Sequence, residues 1–444
     1  MALREPIPDS SLGRASTVAD ADASPMQATT PEERSRAFTI LFFSLMCLGA
    51  GQSVMFAILP SLARRLGLTE FQASLPFVTS AAIWVFSSGF WGARSDLWGR
   101  KPVMLLGLVA FGISFGLFAV MAQLGIAALI PVAAAYPLMI AARALYGLFG
   151  AGTAPSAQAY VADRTTPEER TRGVATIGAA FGLGTTVGPG IGAVLVVFGL
   201  FAPFYFTAIA AFASAAAIWL FLPERTAPHL HVEPAGRLRW SDARVWPFIL
   251  YGLGVSTAAA IPIQTVGYLF IDMLHLNPAE APQYTGIGLV ASSLAALFAQ
   301  LVIVQRFNIS VRALIRWGAI IALAANLLFA IGHQFGPLVF ALILSGLGFG
   351  LVRPGYAAAA SLAVDPDEQG AVAGLVGATN GAGFIFGPMI ATALYRWSPS
   401  APYLFGAALM AALCAYALLS PHLRSAGACA DAQGETAETQ VPNA

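Results

Sequence analysis

The chain has 444 residues, 57% of them hydrophobic and 10% charged, with a net charge of +1. Soluble globular chains carry about 25% charge, so this composition excludes a water-soluble enzyme, and the near-zero net charge gives no footing for nucleic acid. Cys47, Cys414 and Cys429 lie far apart without disulfide or metal spacing, so no metal or other cofactor is expected.

The apolar residues come in runs of about 20, each long enough to cross a hydrocarbon core of about 30 Å. Without water in that core, backbone groups must bond within each segment, which predicts helices. Residues 1–36 are polar, lack the apolar core of a signal peptide, and are expected to be a disordered tail. A first six-helix bundle over 37–222 is then predicted, with spans at 38–60, 72–92, 102–123, 136–160, 172–197 and 203–222. Residues 223–246, with Glu224, Arg225, Glu233, Arg237, Arg239, Asp242 and Arg244, form a polar linker with room for a short surface helix. A second bundle over 247–420 has spans at 247–270, 284–305, 313–332, 337–362, 371–395 and 403–420, followed by a second disordered tail, 421–444. The fold class is therefore all-α membrane protein, with twelve spans.

Arginine and lysine orient the chain. With a cytoplasmic N-terminus, 18 of the 23 cations fall on the cytoplasmic side and only Arg64, Arg65 and Arg396 outside; Arg143 and Arg353 lie within spans. The positive-inside rule selects this arrangement, with both termini cytoplasmic. The two halves also repeat. A shift of 199 residues lays Gly147–Pro189 on Gly346–Pro388 without a gap, and Gly178, Gly182, Gly184, Gly188 and Pro189 fall on Gly377, Gly381, Gly383, Gly387 and Pro388. Duplicated parallel halves with a site between them are a transporter architecture.

Between spans 2 and 3 the chain reads Gly92-Ala-Arg-Ser-Asp96-Leu-Trp-Gly99-Arg100-Lys101-Pro102, a short loop whose tight turn needs glycine. With it the chain resembles the major facilitator superfamily, whose signature there is Gly-x-x-x-Asp-x-x-Gly-Arg-Lys/Arg. Arg94 stands where an apolar residue is usual, and Leu97 where arginine is usual. The resemblance covers about 38–420 and implies two pseudo-symmetric six-helix bundles. It also implies a conformational latch: Asp96 against the positive N-terminus of helix 11 near Ala371, worth about 0.3–1 kcal/mol, and Arg100 paired with Asp163. Together these would hold the outward-open state.

Arg143 in span 4 costs at least about 2.5–3.5 kcal/mol to insert and must face a cavity or a partner. In the family an arginine here, often followed three residues later by Gln (here Tyr146), is tied to proton transfer. Arginine does not titrate in this setting, so it biases a neighbouring acid or holds an anionic substrate; packing against helix carbonyls is the alternative. In span 5, Gly184, Gly188, Pro189 and Gly192 resemble the Gly-x-x-x-Gly-Pro-x-x-Gly-Gly element of the antiporter branch, with Ala193 replacing the last glycine. Gly383-x-x-x-Gly387-Pro388 has nearly the same form, so a packing hinge common to both halves is the other reading. Asp365-Pro-Asp-Glu-Gln369-Gly370 is similar to the drug and tetracycline exporter branch.

No acid lies in the middle of a span. Leu48 stands near the position where tetracycline exporters carry aspartate in helix 1, and Gln52 follows one turn later. Asp163 and Asp272 lie near span ends, and Asp272 with His275 reads as a solvated helix end. Candidate residues for a central cavity are Gln52, Phe56, Trp84, Arg143, Tyr146, Gln264, Tyr356 and Asn380, a set suited to a neutral, amphipathic or anionic organic molecule. The expected function is proton-coupled efflux of small organic molecules by alternating access. The expected setting is a monomer in the lipid bilayer of the cell inner membrane. The alternatives are import of a metabolite, or a membrane receptor or enzyme that reuses the fold.

Overall fold

The computed structural model describes residues 30–165, 167–223, 240–307, 309–365 and 368–420. Among them are twelve helices long and apolar enough to cross a membrane. They are α1 Pro31–Leu66, α2 Glu70–Trp98, α3 Arg100–Ile126, α4 Val132–Ala162, α5 Pro167–Leu195 and α6 Ala202–Phe221, then α7 Trp246–Met273, α8 Ala281–Arg306, α9 Val311–Ile331, α10 Phe335–Leu362, α11 Gln369–Tyr395 and α12 Ala401–Leu419. Both expected tails beyond these limits, and the linker from 224 to 239, lie outside the described residues.

Two boundaries correct the sequence expectation. The N-terminal tail ends earlier than residue 36, because Thr30-Pro-Glu-Glu33 is a capping box: Glu33 N–H donates to the Thr30 hydroxyl, and Thr30 N–H to the Glu33 carboxylate. Local capping chemistry outweighs the polarity of these residues. The signature between spans 2 and 3 is not a loop. Residues Gly92–Trp98 continue α2, and the turn into α3 is Gly99 alone, at φ 96°, a backbone region that favours glycine.

Two helices are broken. α4 is interrupted at Ala151–Gly152, which frees carbonyls of its preceding turn. Neighbouring α2 satisfies them: the Ser87 hydroxyl donates to the Gly147 carbonyl at 2.9 Å, and the Trp91 indole to that of Leu148 at 2.5 Å. α8 carries a π-helical turn at Ala299–Ile303.

Within each half the glycine series brings two backbones together. A Cβ on Gly184 would fall on the Met46 carbonyl and lie 2.8 Å from Ala50 N; one on Gly188 would meet Ser53 and Ala50, also in α1. In the second half, Gly383 and Gly387 face Ser256, Thr257 and Ala260 of α7 in the same way. The span-5 element is therefore the α1–α5 contact, and its repeat is the α7–α11 contact.

The other face of these helices shows how the halves meet. On α11, Thr392 lies 3.4 Å from Ser74 of α2 (hydroxyl to hydroxyl), and a Cβ on Gly381 would stand 3.9 Å from Val85. On α5, Pro189 and Ala193 lie against Gly286 of α8. Farther along the same faces, Gly178, Gly182, Gly374 and Gly377 have open space where a side chain would be. The halves thus touch at one end and splay apart toward the other, the end that carries Arg94, Arg100 and Lys101. It is called the basic end below, and the opposite end the sealed end.

At the basic end, Arg244 ties the entry of α7 to the start of α11 through Asp242 at 2.9 Å and Glu368 at 2.8 Å. Its guanidinium holds both carboxyls below their ordinary range. Both groups therefore stay ionised to lower pH than free carboxylates would, and the clamp is lost as pH falls through their lowered values.

Candidate functional site

The signature residues act first inside their own half. Asp96 pairs with Arg100 one turn on, and Arg100 Nε donates to Asp163 at 3.3 Å while its Nη1 donates to Ser95 at 2.7 Å. Lys101 donates to the carbonyls of Trp219 and Leu222 at 2.9 and 2.8 Å, satisfying the open C-terminus of α6. Arg94, one of the two departures from the signature, lies over the rings of Phe90 and Trp98 at 5.2 and 5.1 Å. The α2–α11 contact through Val85 and Gly381 lies eleven residues before Asp96, so in this splayed state the aspartate stays with its own half.

Three other cavity candidates, Gln52, Tyr146 and Phe56, come together around Arg143. Its guanidinium donates to Gln52 at 2.8 Å and to the Ser114 hydroxyl at 3.4 Å. The rings of Phe115, Tyr146 and Phe77 surround it at 4.9, 5.3 and 5.7 Å, and Phe56 stacks on Phe77 at 5.2 Å. The arginine is 1% exposed. Every partner is neutral, and the rings offer the negative faces of their π-systems in place of a counter-charge. Phe77, Ser114 and Phe115 were missed in the sequence, because single aromatic and serine residues in apolar spans carry no pattern of their own.

The second half supplies another group. Tyr356 and Ser256 hydroxyls both donate to Asn380 Oδ1 at 2.8 Å. Two candidates stand elsewhere. Trp84 packs with Trp91, Val103, Phe149 and Ala151 beside the α4 break, inside the first half and away from Arg143. Gln264 is 3% exposed, and its Oε1 has no hydrogen-bond partner among the described residues.

Asp272 is not a solvated helix end. Arg64 at the end of α1 binds it at 2.9 Å and also binds Glu70 of α2 at 2.9 Å. Tyr395 of α11 donates to Asp272 at 2.9 Å, and the Arg64 guanidinium lies 5.5 Å from the Tyr268 ring centre. Four helices from both halves meet here, with Pro60 of α1 against Gly267 of α7 one turn inward. Arg64 and Asp272 lie 208 residues apart and had no local signal by which to find one another. Replacing Asp272 by Asn is expected to loosen the sealed end by about 1 kcal/mol, since the pair is a third exposed, and to shift the population about fivefold toward separation there. Paired spin labels on the α1–α2 and α7–α8 turns would read it; unchanged distances would show that apolar packing alone holds the seal.

Two halves closed at one end and splayed at the other, around a buried polar cluster, define a secondary transporter of the alternating-access type. The Major Facilitator Superfamily profile matches residues 41–330 and 274–435, and the chain belongs to that family, one of transporters rather than enzymes. Multidrug resistance protein 2 of Bacillus subtilis (strain 168) is 25% identical over 390 residues, covering 85% of this chain and 93% of the relative. Tetracycline resistance protein, class C, of Escherichia coli is 29% identical over 334 residues, covering 72% and 79%. Among solved structures, the human organic anion transporter MFSD10 (TETRAN) superposes with a TM-score of 0.62 at 20% identity, covering 88% of this chain and 100% of that one. The nucleoside transporter NupG gives 0.68 at 13% identity, covering 87% and 99%. These superpositions establish the shared fold.

Proposed function

We propose that the protein exports small organic molecules, neutral or anionic, by alternating access coupled to protons, with its basic end in the cytoplasm of a cell whose inner membrane it spans. The observation that carries this reading is the conformation: the sealed end is closed by Arg64, Asp272 and Tyr395, while the basic end is open between α5 and α8 and between α2 and α11. A molecule in the cytoplasm or inner leaflet has access to the space between the halves in this state. The positive-inside rule supports the orientation. Names of relatives, multidrug and tetracycline resistance proteins, support export. The span-5 glycines do not add to that argument, because they and their repeat serve the same packing in both halves. In the opposite state, closure of the basic end would carry Asp96 toward the start of α11, where the latch is proposed to engage.

The test is a compound-sensitivity screen of a host with and without the gene, covering cationic, neutral and anionic aromatic compounds. Raised tolerance to some of them is expected, together with lower accumulation that reverses when the proton gradient is collapsed. Raised uptake of a nutrient-like compound, with no gain in tolerance anywhere, would make the protein an importer instead. Transport that ignores the collapse of the gradient would remove the proton from the scheme.

A further inference from the structure

Arg143 and Arg353, the cations farthest from the ends of their spans, are not equivalent. Arg143 is enclosed by rings and bonded to Gln52. Arg353, in α10, is only partly buried. Its Nε is shielded from solvent and meets no hydrogen-bond acceptor, and no carboxylate among the described residues pairs with it. Arg353 lies nine residues before Leu362, about 14 Å along the helix from its basic end. An arginine at such depth is costly unless something answers its charge.

Its direction follows from its neighbours on α10. Gly350, one turn earlier, packs on Ala296 and Ala299 of α8, where the π-helical turn begins. Tyr356, three residues later, packs on Gly252 of α7. Arg353 falls between the row that faces α7 and the row that faces α8. α8 is also the helix that meets α5 of the other half, so this side of α10 is turned to the space between the halves, on the open side of the seal. Nearby, the Asn380 oxygen already accepts from Tyr356 and Ser256, so the free hydrogen-bonding capacity of that cluster is its amide donors. The acids of the twelve spans all lie within a few residues of span ends: Glu32, Glu33, Glu70, Asp96, Asp163, Glu168, Glu169 and Asp272. The space between the halves therefore presents positive charge without a built-in counter-ion.

We propose that Arg353 is the anchor of the substrate site and that the substrate is an organic anion: a carboxylate, sulfonate or phosphonate head held by Arg353 beside Asn380, with an apolar body between the halves. This rests on the transport reading above and narrows it to one charge class. A planar guanidinium suits such heads because it donates two parallel hydrogen bonds. Strongly cationic compounds are disfavoured, since they would enter a site that already carries positive charge and offers no carboxylate.

The test measures binding of three radiolabelled probes that share one ring system to the full-length protein in lipid nanodiscs: naphthalenesulfonate, naphthalenesulfonamide and naphthyltrimethylammonium. Sulfonate is expected to bind best. R353Q should weaken its binding by about tenfold or more, the loss of a charge-assisted hydrogen-bonded pair, while binding of the neutral sulfonamide changes less than about twofold. R353K, which restores the charge without the paired hydrogen bonds, should recover part of the loss, which also shows that the position tolerates exchange. Equal losses for sulfonate and sulfonamide in R353Q, with no recovery in R353K, would make Arg353 structural and overturn the assignment. So would preferred binding of the ammonium probe, or binding of none of the three. The sensitivity screen is independent of these probes: export of uncharged compounds alone there would leave the transport reading standing while this assignment fell.

Discussion

Replacing Arg143 with methionine is expected to abolish transport while leaving the folded protein as stable as the parent, or more so. The side chain is 1% exposed, its Nε has no hydrogen-bond partner among the described residues, and the rest of the guanidinium meets Gln52, Ser114 and three rings. Burying a charge with only neutral partners costs several kcal/mol before its contacts offset any of it. A hydrophobic residue of similar length fills the space between Phe77, Phe115 and Tyr146 without that cost, and such exchanges are often neutral or stabilising by about 1–4 kcal/mol. Stability alone therefore gives no reason for an arginine at this place. Transport is the reason proposed for it: the guanidinium joins α4 to α1 through Gln52 and sets a fixed positive charge inside the first half. Transport by Arg143→Met should fall about 100-fold or more, equivalent to about 2.7 kcal/mol, with a melting temperature in detergent equal to or above that of the parent. A loss of melting temperature with transport within twofold of the parent would assign Arg143 to packing instead.

The second large effect separates two glycines on one helix. Gly184→Leu should fail to fold into the membrane, because its Cβ would fall on the Met46 carbonyl and lie 2.8 Å from Ala50 N. Those are backbone atoms, which cannot step aside as the tip of a side chain does, and a clash of this kind costs about 3 kcal/mol or more. Gly182→Leu, half a turn away, meets nothing within 4 Å in this state. It should insert and fold normally, yet lose transport, because its leucine occupies the face of α5 that must approach the second half when the basic end closes. Labelling at the basic end should find Gly182→Leu permanently accessible, while the parent is accessible only part of the time. Expression of Gly184→Leu at the parent level would contradict the close α1–α5 contact. Full transport by Gly182→Leu would contradict closure along this face.

Much of the architecture was legible before any coordinates. Twelve spans follow from apolar length, and helix ends were mostly placed within about four residues, because a bilayer rewards a fixed length of apolar helix. Two of the exceptions have local causes. Thr30 and Glu33 form a capping box that draws polar residues into α1, and Asp96 with Arg100 extends α2 through a segment that reads as a loop. The 199-residue repeat was also visible, and the structure explains why: Gly184 with Gly188, and Gly383 with Gly387, make the same backbone contact in each half.

The cavity was only partly legible. Arg143, Tyr146 and Gln52 were identifiable because polar groups in apolar helices need a reason. Trp84 was expected beside them, but an aromatic ring serves equally well for packing, and here it supports the α4 break. Arg353 stood out in the charge count as one of two cations within spans, yet nothing in the string showed that no described carboxylate pairs with it.

The sequence by itself determined the membrane class, the number of spans, the duplication and the family, since each depends on local composition or on spacing along the chain. Only the tertiary structure decided which end is sealed, that Asp272 of α7 answers Arg64 of α1, that Gly178 and Gly182 face open space while Gly184 does not, and that the Nε of Arg353 meets no acceptor among the described residues. Those facts depend on how the two halves lie against each other. A chain read residue by residue records which helices can pack, but not which of two alternative packings the halves have adopted, because the same helices and the same apolar faces serve both.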